Sequence, residues 1–92
     1  MQAFSPDPQI LLKLITQTMP YGKYKGIPYY KLPVNYLEWM ARQGFPKHSG
    51  GMLLSTLYEI KLNGLEFILL QLKKELDEGR IPMIPANKKN NQ

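Results

Sequence analysis

The residues best placed to do chemistry lie in one run, Met19-Pro20-Tyr21-Gly22-Lys23-Tyr24-Lys25-Gly26-Ile27-Pro28. Two glycines bracket lysines that alternate with tyrosines, and prolines stand outside them. Glycine lets a backbone turn tightly and approach a ligand closely. Lysine supplies point charges suited to phosphate, and tyrosine supplies flat rings on which a base can stack. Tyr21, Gly22, Lys23, Tyr24, Lys25 and Gly26 therefore form the first candidate site, an exposed binding turn with positive φ expected at Gly22 or Gly26. Lys31, Arg42 and Lys47 extend it as further phosphate partners.

A second candidate anion site is Lys47-His48-Ser49-Gly50-Gly51. It falls where a helix should begin, and free amides and the helix dipole favour anions at such an end. The competing reading is that Gly50 and Gly51 only permit a tight entry into the helix. The aromatic residues divide similarly. Tyr36 and Trp39 stand at i and i+3 and can touch. Trp39 can serve as core or as a ligand platform, with core the commoner fate of tryptophan.

Other chemistries lack their residues. There is one histidine, His48, and no cysteine, so neither a tetrahedral zinc site nor a thiolate nucleophile can be built. Ser49 follows His48, but a nucleophile and its base must meet in space with a third group to orient the base. Ser49 reads as a helix cap and His48 as a solvated loop residue. Glu75, Asp77 and Glu78 are interspersed with Lys73, Lys74 and Arg80, the pattern of a solvated face. The glycine spacing matches neither a P-loop nor a dinucleotide fingerprint. The expectation is a non-catalytic chain with no metal and no cofactor.

Ninety-two residues suit one domain with a modest core, expected over 1–85. The polar tail 86–92 should be disordered. Charge is uneven: residues 19–48 hold Lys23, Lys25, Lys31, Arg42 and Lys47 against Glu38 alone, within a chain of net charge +5. A basic face suits an anionic partner such as nucleic acid, although a positive balance also serves solubility alone. The first residues lack the pattern of a signal peptide, no apolar run approaches a membrane span, and a cytoplasmic location is expected.

The elements follow from caps and breakers. Asp7-Pro8 starts a helix whose apolar positions include Leu11, Leu14 and Ile15, ending near Thr18 ahead of Pro20. Pro20, Pro28 and Pro33, with two glycines, exclude a helix over 20–33. The tyrosines there favour an extended backbone, giving a small β-hairpin turning at 23–26, with Tyr29 and Tyr30 facing opposite ways. Asn35 and Glu38 read as a capping box for a second helix, stopped by Gly44. Ser49 starts a third helix with Leu53, Leu57 and Ile60. Asn63-Gly64 breaks it, and Asn63 with Glu66 starts a fourth, with Leu65, Leu69, Leu72 and Leu76 on one stripe. The last two helices should pair as an antiparallel hairpin. The expected class is mainly α (α+β): about four helices with a small β-hairpin between the first and second.

Taken in order, Met19-Pro20-Tyr21-Gly22-Lys23-Tyr24-Lys25-Gly26, Leu32-Pro33, Tyr36-Leu37-Glu38-Trp39, Gly44-Phe45-Pro46 and Glu59-Ile60-Lys61-Leu62-Asn63-Gly64-Leu65 resemble a small bacterial family of unknown function labelled quorum-sensing-regulated virulence factor. The resemblance covers about residues 19–72. A similar module looks like the C-terminal domain of exonuclease-X-type 3′–5′ exonucleases, whose metal-binding acids belong to a separate domain unmatched here. That likeness implies a non-catalytic accessory module that handles DNA. The reading is thus a small basic module for single-stranded or frayed nucleic acid. In it, the five cations of residues 19–48 pair with phosphates, and Tyr21, Tyr24 and Tyr29 stack. The alternative is a protein-interaction adaptor that uses the tyrosine-rich surface as its hot spot.

Overall fold

The computed structural model describes residues 7–80. The expected boundary at residue 85 and the tail 86–92 lie outside this range. Four helices make up the described part: α1 (Pro8–Thr16), α2 (Val34–Gln43), α3 (Ser49–Leu62) and α4 (Glu66–Asp77). A single 3-10 turn, Tyr29–Lys31, stands between α1 and α2.

Helix α1 begins as its sequence dictates. The Asp7 carboxylate accepts the Gln9 N–H at 2.9 Å, and Pro8 takes the first helical position. It buries Leu14 and Ile15.

The expected β-hairpin is absent among the described residues, and its place is taken by a closed loop. Thr18 and Pro28 form one isolated antiparallel bridge. Met19 N–H donates to the Ile27 carbonyl at 2.9 Å, Gly26 N–H to Met19 at 2.8 Å, and Tyr29 N–H to Gln17 at 3.1 Å. The ladder stops there for a covalent reason. Pro20 and Pro28 have no N–H to donate, and at Tyr29 the chain enters the 3-10 turn. Inside the loop, Lys25 N–H reaches Gly22 and Ile27 N–H reaches Tyr24. The buried Met19 side chain pins the loop to the core. Because Tyr29 lies in the 3-10 turn and not on a strand, it and Tyr30 do not alternate; Tyr29 is buried and Tyr30 half-buried.

Helix α3 is the centre of the molecule. It packs on α2, on α1 and on the 3-10 turn, burying Leu53, Leu54, Leu57 and Ile60. These four follow helical spacing on one side, while Met52 and Leu62 on the same helix are each 59% exposed. Helix α4 packs chiefly on α1 and does not form the expected α3–α4 hairpin. Leu69 is fully buried there, whereas Leu65, Leu72 and Leu76 are only partly so.

Three expected caps are corrected. Helix α2 starts one residue earlier than a cap at Asn35 allows, with Pro33 at its N-cap and no side-chain cap bond; Glu38 instead approaches Arg42 at 3.5 Å. Helix α3 is capped by His48, whose Nδ1 accepts the Gly50 N–H at 3.0 Å. Asn63 closes α3 by donating Nδ2 to the Glu59 carbonyl at 2.7 Å, and Glu66 takes Lys61 at 2.8 Å.

Candidate functional site

The Met19–Ile27 loop, one face of α2 and the 44–46 connection enclose an open groove of about 710 Å³. The loop wall carries Tyr21, Gly22, Lys23 and Tyr24. The backbone at Gly22 has φ +81°, and a Cβ there would lie 3.7 Å from the Tyr36 hydroxyl. Glycine is needed at this turn for its left-handed conformation, and it brings the loop against α2. Gly26, at φ +87°, closes the same loop.

The α2 wall is aromatic. The Tyr24 and Tyr36 rings meet edge-on, with centroids 4.6 Å apart and planes at 62°. Tyr36 and Trp39, one helical turn apart, are nearly parallel, at 6.2 Å and 18°. Such offset aromatic pairs contribute beyond simple burial, so the three rings form a pre-set ladder. Trp39 is 51% exposed, so it is not a core residue, and it lines the groove. Lys23 places its ammonium 5.5 Å from the Tyr24 ring centroid, within cation–π range. The Tyr21 and His48 rings stand nearly perpendicular, with centroids 6.4 Å apart.

Asn35 and Gln43 flank Trp39 along α2, and Met40 and Pro46 add apolar surface. Among the described residues, no carboxylate lines the groove and Lys23 is its one cation. Burial, then the neighbouring Tyr21 and Tyr24 phenols, push the Tyr36 pKa upward, so this hydroxyl remains a neutral donor and acceptor at ordinary pH.

Of the residues singled out by sequence, Tyr21, Gly22, Lys23 and Tyr24 line the groove. Lys25, Gly26, Lys31, Arg42, Lys47, Gly50 and Gly51 do not. Lys31 lies over Tyr30 at 5.9 Å, and Arg42 faces Glu38. Tyr29 is 3% exposed and cannot stack with a ligand. The second candidate site takes its structural reading. Gly50 N–H is held by His48 Nδ1, and Gly51 N–H by the His48 carbonyl at 2.8 Å. A Cβ at Gly51 would lie 1.7 Å from the Pro46 carbonyl oxygen, so this glycine makes room for the loop that precedes α3. Sequence reasoning missed Gln43, Met40 and Pro46, and took Asn35 for a cap. The available signal was the i, i+4, i+8 series Asn35, Trp39, Gln43 on the side of α2 away from Leu37.

No cluster of metal-ligating side chains is present among the described residues, and none of their helices is long and apolar enough to cross a membrane.

The family described as "Putative quorum-sensing-regulated virulence factor" matches residues 7–72. The chain belongs to this family. The match includes α1, which the sequence motifs alone left outside, and takes in every wall of the groove. Two relatives, each described as "Uncharacterized protein YpeB", come from Escherichia coli K12 and Escherichia coli O157:H7. Each is 39% identical over 67 residues, covering 72% of this chain and 93% of the relative. No solved structure matches the chain. These matches carry the family and not the exonuclease likeness.

Proposed function

We propose that the protein is a non-catalytic binding module that takes single-stranded nucleic acid into the aromatic groove. The observation that carries this reading is the Tyr24–Tyr36–Trp39 ladder, half-buried at the two tyrosines and exposed at Trp39, beside Lys23 and with no carboxylate among the described lining residues. Bases stack on such rings, and a nearby cation meets the backbone phosphate. Duplex DNA hides its base faces and would gain only the phosphate contact.

Trp39 is the chain's one tryptophan, so its emission reports directly on the groove. Titration with a mixed-sequence single-stranded oligonucleotide at low salt should quench it, and fluorescence anisotropy of a labelled strand should give the same affinity. Duplex of the same sequence should bind more weakly. Absence of binding in both measurements sinks the proposal.

The adaptor reading keeps one specific support: a groove lined by four aromatic rings and, among the described residues, a single cation also suits a protein hot spot. Binding to nucleic acid that fails while a protein ligand quenches Trp39 would select it.

A further inference from the structure

The flanks of the ladder have chemistry of their own. Asn35, Trp39 and Gln43 are spaced by four residues on α2, and all three line the groove. The two carboxamides therefore stand one turn before and one turn after the indole, with their Cα atoms about 12 Å apart at 1.5 Å rise per residue. Neither amide appears in a hydrogen bond with another described residue, and both residues are exposed. A carboxamide offers an acceptor and two donors at the end of one side chain. It can thus grip a base edge that presents a donor beside an acceptor.

We infer that the groove reads adenine, with the base stacked on Trp39 and its two polar edges held by Asn35 and Gln43. This rests on the proposed binding of single-stranded nucleic acid and adds the base preference. Asparagine or glutamine pairs bidentately with adenine N6 and N7, and in a single strand the Watson–Crick edge is open as well. Adenine's amino group has one hydrogen beside N1 and the other beside N7. It thereby offers two donor–acceptor edges, one for each carboxamide. Cytosine and thymine offer such an arrangement on the Watson–Crick edge alone. Guanine sets an acceptor beside a donor on its Watson–Crick edge, but its Hoogsteen edge has two acceptors, which suit arginine or lysine, and Lys23 lies on the far wall over Tyr24. Among the described residues, no acid lines the groove to accept the exocyclic amine of cytosine.

The test compares oligo(dA), oligo(dC) and oligo(dT) of equal length by Trp39 quenching and by anisotropy. Oligo(dA) should bind about tenfold tighter or more, the scale expected of one good bidentate contact. Asn35→Ala together with Gln43→Ala should bring oligo(dA) down to the level of oligo(dT), with the oligo(dA) affinity falling by clearly more than the oligo(dT) affinity. Strands of N6,N6-dimethyladenine, which lack the shared donor, should lose the preference with the unaltered protein. Equal binding of all three strands overturns the inference and leaves the binding proposal standing. An adenine preference that survives the double substitution also overturns it, because purine stacking alone would then be the cause. No binding by any strand removes both. The two substituted side chains are exposed, so a native circular dichroism spectrum is expected, and the dimethyladenine strands test the claim without altering the protein.

Discussion

Gly51 and Trp39 show how differently two residues can depend on their surroundings. At Gly51 the nearest obstacle to a side chain is backbone, the Pro46 carbonyl oxygen at 1.7 Å. At Gly50 it is the end of the His48 imidazole at 2.7 Å, which can swing aside at the cost of the cap. Gly51→Ala should therefore cost about 3 kcal/mol or more, the upper range for overpacking. Gly50→Ala should cost about 1 kcal/mol, the scale of a lost N-cap. Urea midpoints at constant m-value would order the two, and equal losses would mean that the 45–48 loop moves freely. Trp39 inverts this pattern. It is half-exposed, so Trp39→Ala should change stability little while weakening oligonucleotide binding by about 1–3 kcal/mol, the stacking contribution of one base. Anisotropy on the variant measures that loss without the fluorophore. A large drop in stability with unchanged binding would place the indole in the core after all.

At the scale of elements, the helices were legible because their local signals agree. Asp7-Pro8 starts α1 as read, Gly44 ends α2 at φ +94°, and Gly64 reverses the chain after α3 at φ +68°. Two kinds of information were not local. The hairpin failed because tyrosine propensity was set against Pro20 and Pro28, and the missing N–H groups decided the outcome. The α3–α4 pairing failed because a leucine stripe says that a face is buried, not what buries it. The groove was half legible: the loop residues announced themselves by composition, whereas Asn35 and Gln43 needed the backbone of α2 to bring them beside Trp39. The packing of α4 on α1 yields its own expectation. Leu69 is fully buried and Leu70 is 53% exposed. Leu69→Ala should cost about 2–5 kcal/mol, and Leu70→Ala should stay within about 0.5 kcal/mol. Thermal or urea unfolding separates them, and a small loss at Leu69 would mean that α4 is only loosely attached.

The whole molecule disperses its positive charge. Net charge is +5, yet the cations of residues 19–48 do not converge on the groove: Lys23 lines it, Lys31 caps the Tyr30 ring, and Arg42 is turned to Glu38. This arrangement separates two modes of binding that composition alone cannot distinguish. If all five cations of that segment met phosphates, the slope of log K against log salt for a single strand would be about −3.5, at roughly 0.7 per phosphate. A groove that stacks bases and neutralises one phosphate should give a slope near −0.7 instead, with most of the affinity surviving added salt. Lys23→Ala should then flatten the remaining slope almost to zero. Arg42→Ala and Lys31→Ala should leave it unchanged, because neither residue lines the groove. The measurement is a salt series of oligonucleotide titrations on the wild-type protein and these three variants. A steep wild-type slope, shared out among Lys31, Arg42 and Lys23, would show that the strand runs across the outer basic surface and that the aromatic groove is not its seat.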